Sequence, residues 1–322
     1  MKTIAQFVQD GITTLADLQD ALHTAMRLEF STIPPYLCAQ WSIDASNGGD
    51  PSNVTGMIEE IVIQEMFHFS LAGNMLTAIG GTPKVSDPTF IPSYPTHVLP
   101  GGIQQTLAVD LAPLSTNQLQ VFMQIEMPEF TPIPPKGIAV SARPATIGAF
   151  YDEIYNAFGT INPTFIDSAY SVSVPGGQAI TSVVLAQAAI TRIKEEGEGT
   201  PGSPDQPPPD ASEQLAHYYV FEEILKGQTW VQPGNTWGLP PIQFPKKVNP
   251  FPAQNSSPDP SIGAFNASLT QLLLELQTCW TLGKPVDTTA MNNLRGQGMS
   301  MIANNIRPEF LWASPAGAAT AT

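Results

Sequence analysis

Two long apolar helical stripes, each interrupted by acid or imidazole where the spacing calls for another apolar residue, constrain this chain more than any other feature. The first runs Leu15, Leu18, Leu22, Ala25, Glu29, Ile33, Tyr36 and Gln40, and Glu29 is its single acid. The second runs Ile58, Ile61, Glu65, His68, Ala72, Met75 and Ile79, with a carboxylate and an imidazole one turn apart. Residues spaced three and four apart share one helix face, so both stripes point their polar members toward a core. Burying such groups is costly unless they are bound or paired. A carboxylate with a histidine three residues on is how a helix presents two ligands to one metal. A core histidine satisfied by its own glutamate is the bland alternative.

Geometry tests whether the stripes meet. The breakers Asn47-Gly-Gly-Asp-Pro51 separate a helix over about 15–43 from one over about 53–80, the latter ended by Gly80-Gly81 with Pro83 beyond. In an antiparallel hairpin, Glu29 then lies roughly 20 Å from the turn and Glu65 roughly 18 Å back from it, at the usual helical rise. Glu29, Glu65 and His68 come to one level. Pro34 and Pro35 follow Glu29 inside the first helix and are expected to kink or open it, leaving room for a substrate.

Size and charge narrow the class. With 322 residues and 42% hydrophobic content, the chain can bury a sizeable core. A formal charge of −15, from 28 acids against 13 bases, argues against nucleic acid or an anionic membrane as partner. No apolar run reaches the roughly 18 residues of a membrane span, and the N-terminus lacks signal-peptide character, so a cytoplasmic location is expected. Cys38 and Cys279 each fall in an apolar helical pattern and read as free buried thiols. Of the 32 prolines, eleven lie between Pro83 and Pro144, which predicts short helices and long loops there, of the kind that cover a site or form an oligomer contact. The expected organisation is a bundle over 1–228, with 83–144 inserted, and a C-terminal wrap with packed helices over 229–322.

Shorter helices carry the remaining polar candidates. Ser115 or Thr116 can cap a helix over Leu119–Glu126, in which Leu119, Phe122 and Glu126 share a face; Glu126 sits at the end, where an exposed reading stays open. Helices are expected at 144–158, 179–197 and 211–227. In the second, Val183, Ala186, Ala189, Ile193 and Glu196 run in series, which makes Glu196 the inward acid. In the third, His217 follows Glu213 by four residues. Phe265, Leu269, Leu272, Leu276 and Cys279 form an amphipathic helix, and Met291, Leu294 and Ile302 one more, neither with a ligand constellation. Phosphate loops, cysteine-pair zinc motifs and the Gly-x-Ser-x-Gly elbow are absent.

Gathered together, Glu29, Glu65, His68, Glu126, Glu196 and His217, with Glu198 and Glu213 in reserve, make the donor set of two iron or manganese ions in a helical bundle. Zinc takes fewer carboxylates and calcium does not favour imidazole. Tyr36, seven residues from Glu29, offers a phenol that could hydrogen-bond a ligand or be redox-active, beside its ordinary reading as core packing. Phe67, Phe69 and Trp41 read as packing.

The segments Leu28-Glu-Phe-Ser-Thr-Ile-Pro-Pro-Tyr-Leu37, Glu60-Ile-Val-Ile-Gln-Glu-Met-Phe-His68, Phe122-Met-Gln-Ile-Glu-Met-Pro-Glu129, Glu196-Gly-Glu-Gly199 and His217-Tyr-Tyr-Val-Phe-Glu222 resemble the ferritin-like domain family that includes iminophenyl-pyruvate dimer synthases of the VioB type. Phe265-Asn-Ala-Ser-Leu-Thr-Gln-Leu-Leu is similar to the family's C-terminal helix. The resemblance implies an all-α, ferritin-like four-helix bundle with accessory helices and oxidative chemistry on an amino-acid-derived substrate. In the synthases this portion belongs to a much longer chain that couples two imines, so it implies the metal site rather than the coupling. The Glu213-to-His217 spacing departs from the Glu-x-x-His of such bundles. The function expected is a non-haem di-metal oxidoreductase using O2 or peroxide on a small molecule, with a homo-oligomer possible. Iron storage and a metal-free interaction scaffold are the competing readings.

Overall fold

A computed structural model of the protein describes residues 2–103, 107–128, 146–173, 178–199, 203, 215–231, 236–238 and 240–313. Their regular secondary structure is almost entirely helical: α1 (Ile4–Asp10), α2 (Leu15–Ser42), α3 (Val54–Ala78), α4 (Thr116–Ile125), α5 (Ile147–Ile161), α6 (Val183–Gly197), α7 (His217–Lys226), α8 (Pro260–Leu282) and α9 (Thr288–Ala303). A two-stranded antiparallel hairpin, β1 (Thr229–Val231) and β2 (Thr236–Gly238), lies in the stretch expected only to wrap the surface.

Helices α2 and α3 form the expected antiparallel hairpin, each beginning and ending within two residues of its expected bounds. The other side of the bundle is built from short helices. Helix α5 packs on α2 and α6, α4 packs on α7, and α3 touches both α6 and α7. Among the described residues the other side of the bundle is therefore made of two short pairs, α4 with α7 and α5 with α6. The shorter helices start where hydroxyl caps satisfy first-turn N–H groups, Ser115 for α4, Thr146 for α5 and Ser182 for α6. The expected starts at 144 and 179 thus move to 147 and 183; α7 starts at 217 rather than 211, after Ala216 and without a side-chain cap, while 129–145 and 204–214, including Glu213, lie outside the described residues.

Pro34 and Pro35 do not open α2, which is helical from Leu15 to Ser42. Proline at 35 removes the donor for the Ser31 carbonyl one turn earlier. The Tyr94 hydroxyl donates to that carbonyl at 2.7 Å, from the Pro-rich segment packed alongside. The loss of the Pro35 donor is thus compensated by a side chain distant in sequence.

The C-terminal helices pack outside the hairpin, α8 on α3 and α9 on both α2 and α8. Gly73 in α3 lets Trp280 of α8 approach so closely that a Cβ would lie 2.3 Å from the indole. The Trp280 N–H donates to Asn74 Oδ1 at 2.8 Å. Asn74 also accepts from the Val172 N–H and donates to the Val172 and Gln178 carbonyls, tying that loop to α3. Cys38 and Cys279 are both free and buried. Among the described residues no helix is long and apolar enough to cross a membrane.

Candidate metal centre

Glu29 comes from the middle of α2, and Glu65 and His68 from the middle of α3; all three are buried, because the stripes that carry them face the bundle interior. Their ligand atoms lie within 4.8 Å of one another. Glu126 is the residue that ends α4 and His217 the first residue of α7, so the break between the short helices delivers both to the same level. Both are buried, and with Glu65 they form a second group within 4.8 Å. The exposed reading of Glu126 is set aside by its 7% accessibility. Glu65 belongs to both groups, between Glu29 and His68 on one side and Glu126 and His217 on the other.

Each imidazole is held from behind. His68 Nε2 lies 2.8 Å from Glu196 Oε2, and its Nδ1 faces inward, 3.6 Å from Glu29 Oε2. Arg192 donates to the other Glu196 oxygen at 2.7 Å and lies over the Phe67 ring. Glu196 thus stands on the outer side of His68, and the structure does not bring it into either group. His217 Nε2 lies 2.8 Å from Gln64 Oε1, and its Nδ1 is 2.9 Å from Glu65 Oε1 and 3.7 Å from Glu126 Oε2. Despite that proximity, His217 Nδ1 makes no hydrogen bond of acceptable geometry among the described residues. A buried nitrogen with its outer partner fixed and its inner side unserved is the arrangement of a metal-ligating histidine.

Two phenols hold the outer carboxylates. Tyr151, in the first turns of α5, donates to Glu29 Oε1, and Tyr36 donates to Glu126 Oε1 at 2.5 Å. Thr32 Oγ1 sits 2.8 Å from Glu65 Oε2 and 2.7 Å from the Glu29 carbonyl. Phe122 and Phe221 pack edge-on to the Tyr36 ring, which is fully buried. Sequence reasoning found Tyr36 but missed Tyr151, Thr32, Gln64 and Arg192. Tyr151 had one available signal, a polar tip on the apolar face of Phe150, Ile154 and Phe158.

A cavity of about 30 Å³ lies among these groups, lined by Glu29, Thr32, Glu65, His68, Glu126, Tyr151 and Glu198, with Ile125, Ile147 and Ile193 closing it. That is room for about two water-sized bodies. The electrostatics favour a cation there. Burial opposes charge on His68, yet the hydrogen bonds to Glu196 and Glu29 override it and raise its pKa to about 9. Burial likewise opposes charge on His217, and Glu126 and Glu65 lift it to about 10. Burial and the neighbouring Glu126 push Glu65 up to about 7, against the pull of His217. Glu196 is lowered despite its burial, by His68 and Arg192. So much negative charge beside two imidazoles and a small cavity suits a metal ion held by oxygen and nitrogen donors.

The ferritin-like family profile matches residues 22–226, more than half of the chain. A crystal structure of a ferritin-like protein from Caulobacter vibrioides is similar in fold, with a TM-score of 0.62 and 21% sequence identity, over 93% of this chain and 99% of that chain. No curated protein matches the sequence. The matched span runs from α2 to the end of α7 and contains every residue of both ligand groups, and on that ground the chain belongs to the ferritin-like family.

Proposed function

We propose that the chain is a non-haem di-iron or di-manganese oxidoreductase that activates O2 or peroxide on a small, amino-acid-derived substrate. The observation that carries this reading is the sharing of Glu65 between two buried groups, Glu29 with His68 and Glu126 with His217. Glu65 would help to hold both ions of such a pair, with Glu29 and His68 at one and Glu126 and His217 at the other, as side chains on facing helices do in helical bundles. When bound, such a pair supplies reversible electron transfer to dioxygen.

The chain's own residues hold the centre. Glu196 and Gln64 fix the orientation of the two imidazoles so that each Nδ1 points inward. Tyr151 and Tyr36 hold one oxygen each of Glu29 and Glu126, leaving the other free to face the cavity. Ile125, Ile147 and Ile193 give the cavity an apolar wall, which lowers the local dielectric and strengthens the electrostatic interactions beside it. The resemblance to iminophenyl-pyruvate dimer synthases supports imines or amino acids as the substrate class.

One observation favours iron storage as a second reading: a cavity of about 30 Å³ admits ions and dioxygen-sized molecules but not an amino acid. Metal analysis of protein produced with iron and manganese available separates the readings. About two ions per chain, both lost in Glu65→Ala and reduced to about one in His68→Ala, together with O2 consumption stimulated by an amino acid or imine, supports the oxidoreductase. Iron uptake well beyond two per chain supports storage. No stoichiometric metal, with both variants as stable as the parent, overturns both.

A further inference from the structure

We propose that Glu196 and Gln64 make the two positions of the candidate centre unequal, so that Glu29, Glu65 and His68 hold a divalent cation about tenfold more tightly than Glu65, Glu126 and His217 do. This ranking rests on the di-metal reading above and names the residues that set it. In their donors, and in the groups that hold the outer carboxylates, the two positions are matched. Each has one carboxylate of its own, one imidazole and a share of Glu65, all buried. A buried phenol donates to each unshared carboxylate, Tyr151 to Glu29 and Tyr36 to Glu126.

The difference stands behind the imidazoles. His68 Nε2 donates outward to a carboxylate oxygen of Glu196 at 2.8 Å, whereas His217 Nε2 donates over the same distance to the neutral amide oxygen of Gln64. Both acceptors fix the tautomer and turn Nδ1 inward. A carboxylate also makes that inward nitrogen more basic and a stronger ligand, because a hydrogen bond to an ionised acceptor is roughly twice as strong as a neutral one.

Arg192 does not cancel this effect. It donates to the far oxygen of Glu196 at 2.7 Å, so its charge lies beyond the carboxylate as seen from His68. Its side chain is 37% exposed while that of Glu196 is 1% exposed, so solvent screens the cation more than the anion. Losing an orienting partner outright costs about 10- to 100-fold in metal affinity; an amide still orients the ring, which places the difference at about tenfold.

Two cations that share Glu65 repel each other, and this weakens the second binding step whatever stands behind the histidines. The positions are therefore compared one at a time, by titrating manganese(II) into full-length variants and following the free ion by electron paramagnetic resonance. Glu126→Gln leaves the His68 position and Glu29→Gln the His217 position. Each should bind one ion, about tenfold more tightly in Glu126→Gln. Gln64 is only partly buried, so a carboxylate is accommodated there. Adding Gln64→Glu to Glu29→Gln should tighten binding about tenfold and remove the difference, while adding it to Glu126→Gln should change nothing, a contrast that a purely structural role for Gln64 does not produce. Equal affinities or none in the two single variants, tighter binding in Glu29→Gln, or a Gln64→Glu effect alike in both backgrounds overturns the ranking and leaves the di-metal reading standing if the unaltered chain binds two ions. If a single variant fails to fold, Gln64→Glu in the otherwise unaltered chain decides: a second step tightened about tenfold with the first unmoved supports the ranking, and an unmoved second step overturns it. An unaltered chain that binds neither manganese nor iron overturns the di-metal reading itself, and the ranking with it.

Discussion

At the level of single residues, the shared position of Glu65 sets it apart from the other carboxylates. Glu29 serves one group and Glu126 the other, while Glu65 serves both. Glu65→Gln should therefore remove both metals, whereas Glu29→Gln and Glu126→Gln should each leave about one per chain, read by elemental analysis; equal losses in all three would contradict the arrangement. Glu196 makes a different prediction because it holds His68 from outside. Glu196→Gln should retain stoichiometry and lower affinity by about 10- to 100-fold, the usual effect of losing the group that orients a ligating histidine. Away from the centre, His23 in α2 is buried and accepts the Lys84 N–H at Nε2 over 3.2 Å, which leaves its proton on a buried Nδ1 without an acceptor. Burial, with Arg27 and Lys84 nearby, lowers its pKa below the ordinary 6.5. The sign follows from linkage: the folded state disfavours the extra proton, so this contribution is intact above 6.5 and is lost as pH falls through the lower folded value. Urea denaturation between about pH 7.5 and about pH 5 should show a loss of stability that is smaller in His23→Gln, and identical slopes would rule it out.

Among the helices, close approach substitutes for chemistry. Helix α8 docks on α3 where Gly73 meets Trp280, and the side chain added in Gly73→Ala would fall 2.3 Å from the indole. Neither the ring, tied by its N–H to Asn74, nor the helix backbone can yield cheaply. Gly73→Ala should destabilise the protein by about 1–3 kcal/mol, as overpacking of a filled core does, measured by chemical denaturation. The same scale explains what the sequence made legible. Glu29, Glu65 and His68 stood out because each breaks the apolar period of a long helix, and long periodic segments bind their residues to a definite face and level. Tyr151 and Thr32 did not, since a tyrosine or threonine on a buried stripe looks the same whether it packs or holds a carboxylate. Pro34 and Pro35 read locally as a break, and the Tyr94 hydroxyl that compensates for one of them lies 63 residues from the carbonyl it serves. Glu196 sat on the right face and in the right region, but spacing alone cannot distinguish a donor facing the cavity from one facing the back of a histidine.

Over the whole molecule, the candidate centre lies at helix ends: Glu126 ends α4, Glu196 lies in the last turn of α6 and His217 begins α7, and these groups reach across to α2 and α3 through a few side chains. Glu29, Glu65, Glu126 and Glu196 are buried close together, with His68, His217 and Arg192 as positive partners among the described residues. A bound metal pair would therefore join α2, α3, α4 and α7 and offset that buried charge, so that its binding energy becomes folding energy. For each independent site, free metal at about 100 times its dissociation constant adds about 2.7 kcal/mol. Thermal unfolding should shift upward on adding iron or manganese and return on chelation. Hydrogen exchange should slow chiefly in α4 and α7, the short helices that each contribute one ligand from a terminus. Helix α9, remote from the centre and packed on the outer side of α2, should exchange at the same rate with and without metal. If metal leaves the melting temperature unchanged, or protects α9 as much as α4 and α7, the buried carboxylates serve the fold in some way other than as a metal centre.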